Sequence, residues 1–91
     1  MEQKQWHLYI LRCGDGSLYT GIAVDVQKRF HAHCRGKGAK YTRGRGPLTL
    51  LYQETCGDHG QALRRELEVK ALRREEKEAL IEQYIKMSEP K

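Results

Sequence analysis

The chain has 91 residues, a net charge of +5 from 17 Lys plus Arg against 12 Asp plus Glu, and a hydrophobic content of 38%. That length supports one small domain with one compact core, and no apolar run reaches the roughly 18 residues that cross a bilayer. The polar start, Met1 to Gln5, has no apolar signal stretch, and the spacing of Cys13, Cys34 and Cys56 fits neither a disulfide framework nor a zinc site, so a reduced cytoplasmic protein is expected.

Trp6 to Arg12 reads as a strand. Trp6, Leu8 and Ile10 alternate with His7, Tyr9 and Leu11, and both sets are largely apolar, so the strand is expected in the centre of a sheet. Cys13-Gly14-Asp15-Gly16-Ser17 is turn chemistry, and Leu18 to Ile22 returns as the second arm of a hairpin. Loop length decides where two tyrosines point. A two-residue Asp15-Gly16 turn would pair Tyr9 with Ile22 and place Tyr9 and Tyr19 on opposite faces. A three-residue Gly14-Asp15-Gly16 loop with Gly16 left-handed pairs Tyr9 with Gly21 and Leu11 with Tyr19, so the phenols share a face. Both loops are sterically reasonable. The second is expected, because only it makes the tyrosines a site.

Asp25 is a fair N-cap for a helix running to about Gly36, with Val26 and Phe30 as its core stripe. Arg29 and His33 lie four apart beside that stripe. Residues 35–46 carry Arg35, Lys37, Lys40, Arg43 and Arg45 and no acidic residue, a local field that favours a polyanion. The glycine-rich part of this segment is not a Walker loop, because the preceding strand and the Gly-Lys-Ser/Thr ending are absent.

A third strand is expected from about Leu48 to Glu54. Asp58 and Gln61 resemble a capping box opening a helix through about Leu72. On that helix Glu66 falls on the side of Ala62, Leu63 and Val69, and Glu68 falls away from them. A last helix, about Glu75 to Lys86, is expected to use Ala79, Leu80, Tyr84 and Ile85 as its core side. Arg73 stands where its N-cap would be, and the tail from Ser88 is expected to fray. The chain is read as a single domain over 1–91, with its core at about 6–85.

Taken singly, these residues are ordinary: tyrosines fill strands, and arginine, histidine and glutamate decorate helices. Together they form a kit for phosphodiester hydrolysis. A water must lose a proton, and charge on the phosphate and the departing oxygen must be countered. Glu66 can anchor one divalent cation, and a single protein ligand plus waters suits magnesium. Arg29 is a fixed cation for a phosphate oxygen. Tyr9, Tyr19 and His33 are the candidate bases, and a phenol needs a nearby cation to reach down from its free pKa of about 10.

This set resembles the GIY-YIG nuclease superfamily. The two tyrosine triplets match His7-Leu8-Tyr9 and Tyr19-Thr20-Gly21, the helical arginine and histidine match Arg29 and His33, and the glutamate matches Glu66. Gly36-Lys37-Gly38-Ala39-Lys40-Tyr41-Thr42 looks like the corresponding loop of the small stand-alone bacterial members of the Slx1-like branch. Gly-Ile of the first triplet is His7-Leu8 here, and Ile of the second is Thr20.

The resemblance implies an α+β fold, a three-stranded antiparallel sheet flanked by helices. It implies an endonuclease that cuts DNA with one Mg2+ or Mn2+ ion, structure-selectively and in DNA repair or recombination. Tyr9 or His33 would assist the water, Tyr19 would place the reacting groups, and Glu66 would hold the metal. Arg29, with Gly21, Lys37, Lys40, Tyr41 and Arg43, would bind substrate. RNA shares the same backbone chemistry. A domain of this size has no room for a second, specificity-giving domain, so a protein partner or a second copy is expected to supply specificity. The competing reading is a non-catalytic nucleic-acid-binding module that keeps the fold.

Overall fold

The computed structural model describes residues 4–88. Strands β1 (Trp6–Arg12), β2 (Leu18–Ala23) and β3 (Thr49–Gly57) form an antiparallel sheet in the order β2-β1-β3. Helices α1 (Val26–Cys34), α2 (His59–Lys70) and α3 (Arg74–Ser88) flank it, and a short 3-10 turn spans Lys40–Thr42. The expected α+β architecture is the one observed.

β1 is central because both of its faces are apolar and both find cover. Leu8 and Ile10 are fully buried with Tyr52, Val69 of α2 and Ile81 of α3. Tyr9 and Leu11 are buried on the other face with Ala23 and Val26, and Phe30 of α1 packs against them. One strand thus joins two small cores, which is how a short chain with modest hydrophobic content builds a layered fold.

The hairpin uses the three-residue loop. Tyr9 pairs with Gly21 and Leu11 with Tyr19, Cys13 donates its N–H to the Ser17 carbonyl at 2.8 Å, and Gly16 takes φ +87°. A positive φ at the third loop position is what glycine supplies and a side chain resists. Asp15 closes the turn by accepting from the Ser17 N–H at 3.0 Å and its hydroxyl at 2.6 Å.

Several boundaries differ from those expected. β3 runs three residues past Glu54, because Thr55 and Gly57 continue the ladder opposite His7 and Trp6. α1 stops at Cys34, two residues before the left-handed Gly36. α2 has both halves of the Asp58–Gln61 capping box and ends at Lys70, which frees Leu72 to pack into the core. At the head of α3 the Glu76 carboxylate accepts the Arg73 N–H at 2.9 Å, so a later side chain replaces the missing cap. The core side of α3 is Leu80, Ile81 and Tyr84, with Tyr84 edge-on to Tyr52. Ala79 and Ile85 fall outside that arc and are exposed, contrary to expectation. The expected fraying beyond Ser88 lies outside the described residues.

Candidate active site

The first face of the hairpin gathers the tyrosines. The Tyr9 and Tyr19 rings lie 6.3 Å apart, and α1 brings the His33 ring 5.9 Å from Tyr9 and 5.2 Å from Tyr19. Tyr9 Oη and His33 Nε2 form a buried hydrogen bond of 2.8 Å. The rings are 1% and 2% exposed, so neither polar atom has water as an alternative partner.

Thr42 fixes the other side of the imidazole. Its hydroxyl donates to the Ala39 carbonyl at 2.9 Å and lies 2.9 Å from His33 Nδ1. With its proton committed to Ala39, Thr42 Oγ1 accepts from Nδ1–H, which leaves the Nε2 lone pair to accept from the Tyr9 hydroxyl. The Ala39 N–H favours the opposite tautomer, but through a longer contact of 3.3 Å. The two shorter contacts decide the assignment.

Burial dominates the electrostatics. It pushes the Tyr9 phenol up to about 12, helped by Tyr19 and, more weakly, by the Glu66 carboxylate. The Arg29 guanidinium pulls the other way without prevailing. Burial and then the Arg29 charge lower the His33 imidazole below its ordinary value, so it is neutral at pH 7. The cation expected to activate the phenol is therefore present, but the imidazole is the stronger base of the pair.

That depressed pKa has a stability consequence. Below about pH 6.5 the unfolded chain binds a proton that folded His33 refuses, so stability falls on acidification until the folded pKa is also passed. The slope from this group is at most about 1.4 kcal/mol per pH unit. Denaturation at several pH values below 7 is expected to show a shallower acid loss for His33→Gln than for wild type. Equal slopes would remove His33 as the acid-sensitive group.

Glu66 lies on the inner side of α2 between the fully buried Ala62 and Val69. Leu63, expected beside it, is 41% exposed. The Glu66 side chain is 18% exposed and pairs with Lys70 Nζ at 3.3 Å one turn on. Among the described residues, no group of three or more His, Cys, Asp or Glu side chains could hold a metal. One shielded carboxylate that an ammonium already occupies can take a cation, and this donor set fits magnesium, which keeps several waters. It does not fit zinc, which wants closed nitrogen and sulfur ligation.

Gly21 faces Tyr9 directly. A Cβ there would lie 2.6 Å from Tyr9 Oη, 2.8 Å from Cζ and 3.1 Å from Tyr19 Cε2. Tyr9 is locked in the core and cannot retreat. Gly21→Ala is expected to cost about 1–3 kcal/mol, as overpacking does, and to break the Tyr9–His33 bond. Urea denaturation and the imidazole proton signals measure the two effects, and an unchanged midpoint with unchanged signals would contradict the close approach.

The basic segment divides. Lys37, Lys40 and Arg43 are exposed and enter no ion pair among the described residues. Tyr41 is 43% exposed but stacks on Tyr19 at 5.8 Å. Two residues here escaped the sequence reading. Thr42 carries no periodic signal, and Gly38 looked like one more loop glycine. A Cβ on Gly38 would fall 2.2 Å from His33 Nδ1, so its lack of a side chain lets the loop close over the imidazole.

A model described as the GIY-YIG catalytic domain matches residues 5–79. A UPF0213 protein of Sodalis glossinidius is 53% identical over 76 residues, 84% of this chain and 71% of its own length. A UPF0213 protein of Halobacterium salinarum is 50% identical over 74 residues, 81% of this chain and 96% of its own length. The solution NMR structure of a UPF0213 protein from Bacillus halodurans superimposes with a TM-score of 0.56 at 48% identity, covering 87% of this chain and 84% of that one. The UPF0213 names assign no activity.

Proposed function

The chain belongs to the GIY-YIG catalytic domain family, a nuclease family, and from that membership we propose that it is an endonuclease hydrolysing DNA phosphodiester bonds with one magnesium or manganese ion. The observation that carries this reading is the buried 2.8 Å bond between Tyr9 and His33, on which both the Arg29 guanidinium and the Glu66 carboxylate act.

In this reading Arg29 and Lys40 hold phosphate oxygens, and Lys37 and Arg43 hold the flanking backbone. Water forms the new bond to phosphorus and gives its proton to Tyr9 Oη, while the phenol's own proton passes to His33 Nε2. The bond to the departing oxygen breaks, and that oxygen takes a proton from solvent. Neutral His33 is what lets a phenol with a raised pKa serve here, because the phenol gives up one proton as it receives another. Tyr19, stacked beside both rings, holds their arrangement. Glu66 would hold the metal ion, which when bound supplies charge compensation on the phosphate and the departing oxygen. Structure-selective cleavage in repair or recombination, in the cytoplasm and with a partner or second copy supplying specificity, is the setting this activity fits.

The second reading, a nucleic-acid-binding module without turnover, draws on the Glu66–Lys70 pair, which occupies the carboxylate that a metal needs. Incubating branched, single-stranded and duplex DNA with the protein, with and without Mg2+ or Mn2+, separates the two. Metal-dependent cleavage supports the nuclease. Salt-sensitive binding with no cleavage in either metal supports the module.

A further inference from the structure

Arg45 is the one cation of the basic segment that the structure has already committed. Its guanidinium pairs with the Asp15 carboxylate at 2.5 Å, across 30 residues of chain. The same guanidinium lies 4.5 Å over the Tyr41 ring. Tyr41 stacks on Tyr19 at 5.8 Å and 28°, and Tyr19 meets the His33 ring edge-on at 5.2 Å. The backbone adds a second fastening, because the Gly14 N–H donates to the Arg45 carbonyl at 2.5 Å. Gly14 can approach only without a side chain, since a Cβ there would fall 2.2 Å from the Gly46 carbonyl oxygen. The tip of the β1–β2 hairpin is thus clasped to the basic loop.

We propose that Arg45 is a positioning residue: held by Asp15, it keeps Tyr41 against Tyr19 and so fixes the Tyr19 ring beside His33. The inference rests on the reading of Tyr19 and His33 as part of the reaction site. It takes Arg45 out of the set of phosphate contacts that the charge of the segment alone would assign it to. Arg43, two residues earlier and unpaired among the described residues, stays in that set. Asp15 suits the clasp because the Ser17 hydroxyl and backbone N–H hold its carboxylate well below the usual range, near 2, so the pair persists through ordinary acid. A planar guanidinium can serve a carboxylate and a ring face at once, which an ammonium does poorly.

The test compares Arg45→Ala, Arg45→Lys, Asp15→Asn and Arg43→Gln by two readouts. One is the NMR signals of the Tyr19 and His33 rings, which need no activity. The other is kcat and KM on a DNA substrate with magnesium. Arg45→Ala and Asp15→Asn are expected to move both sets of ring signals and to lower kcat about tenfold with KM changed less than about twofold, the pattern of a misplaced group. Arg45→Lys is expected to recover part of both. Arg43→Gln is expected to leave the ring signals in place and raise KM. The proposal is overturned if the Tyr19 and His33 signals stay fixed in Arg45→Ala, or if that variant raises KM with kcat intact. Should the wild type cleave nothing, the ring signals alone decide: their movement upholds the clasp while the nuclease reading falls.

Discussion

Glu66→Gln is expected to lower magnesium-dependent cleavage roughly 10³-fold, the scale on which a positioned cation stabilises transition-state charge. The substitution keeps the shape of a side chain that is 18% exposed between Ala62 and Val69, so packing is spared. It removes the carboxylate from Lys70, which is half exposed and regains water, so the stability cost stays near the roughly 0.3–0.5 kcal/mol of a helix ion pair. Lys37, Lys40 and Arg43 are untouched, and binding to DNA at low salt is expected to survive. The diagnostic pattern is therefore lost turnover with retained fold and retained binding, read by gel cleavage, circular dichroism and a DNA titration. Full activity in Glu66→Gln would remove this carboxylate from the reaction.

Tyr9→Phe is expected to cost about 10²- to 10⁴-fold in kcat, the usual worth of a positioned proton-transfer group. It deletes one oxygen and nothing of the ring that packs with Leu11 and Val26. The deletion also leaves His33 Nε2 buried without its 2.8 Å partner, which costs about 1–3 kcal/mol of stability. Both losses should appear together, in single-turnover cleavage and in denaturation. A variant that loses stability but keeps its rate would leave the phenol as packing and pass the proton transfer to His33 alone.

Much of this arrangement is legible in residue order, for identifiable reasons. The hairpin register follows from glycine at the one loop position that needs a positive φ, and that register alone brings Tyr9 and Tyr19 to one face. The Asp25 and Asp58 caps set where α1 and α2 begin, and helical spacing then places His33 and Glu66 inward. What was not legible depends on contacts across long stretches of chain. Nothing local marks Thr42 as the partner of His33, nine residues away, or Asp15 as the partner of Arg45, thirty residues away. The extension of β3 came from its ladder with β1, and the phase of α3 came from Tyr52 opposite Tyr84. A period of 3.6 fixes which residues share a face, but not which of two wide apolar arcs meets the sheet. The raised pKa of Tyr9 was equally hidden, because burial is a property of the assembled cores.

The convergence of Tyr9, Tyr19, Arg29, His33 and Glu66 on one metal-supported site is tested most directly by titrating Mn2+ into the folded protein and following line broadening by NMR. The account predicts that broadening centres on Glu66 and reaches Tyr9, Tyr19 and Gly21 first, and that Glu66→Ala abolishes it. Broadening centred elsewhere, or unchanged in Glu66→Ala, would contradict it.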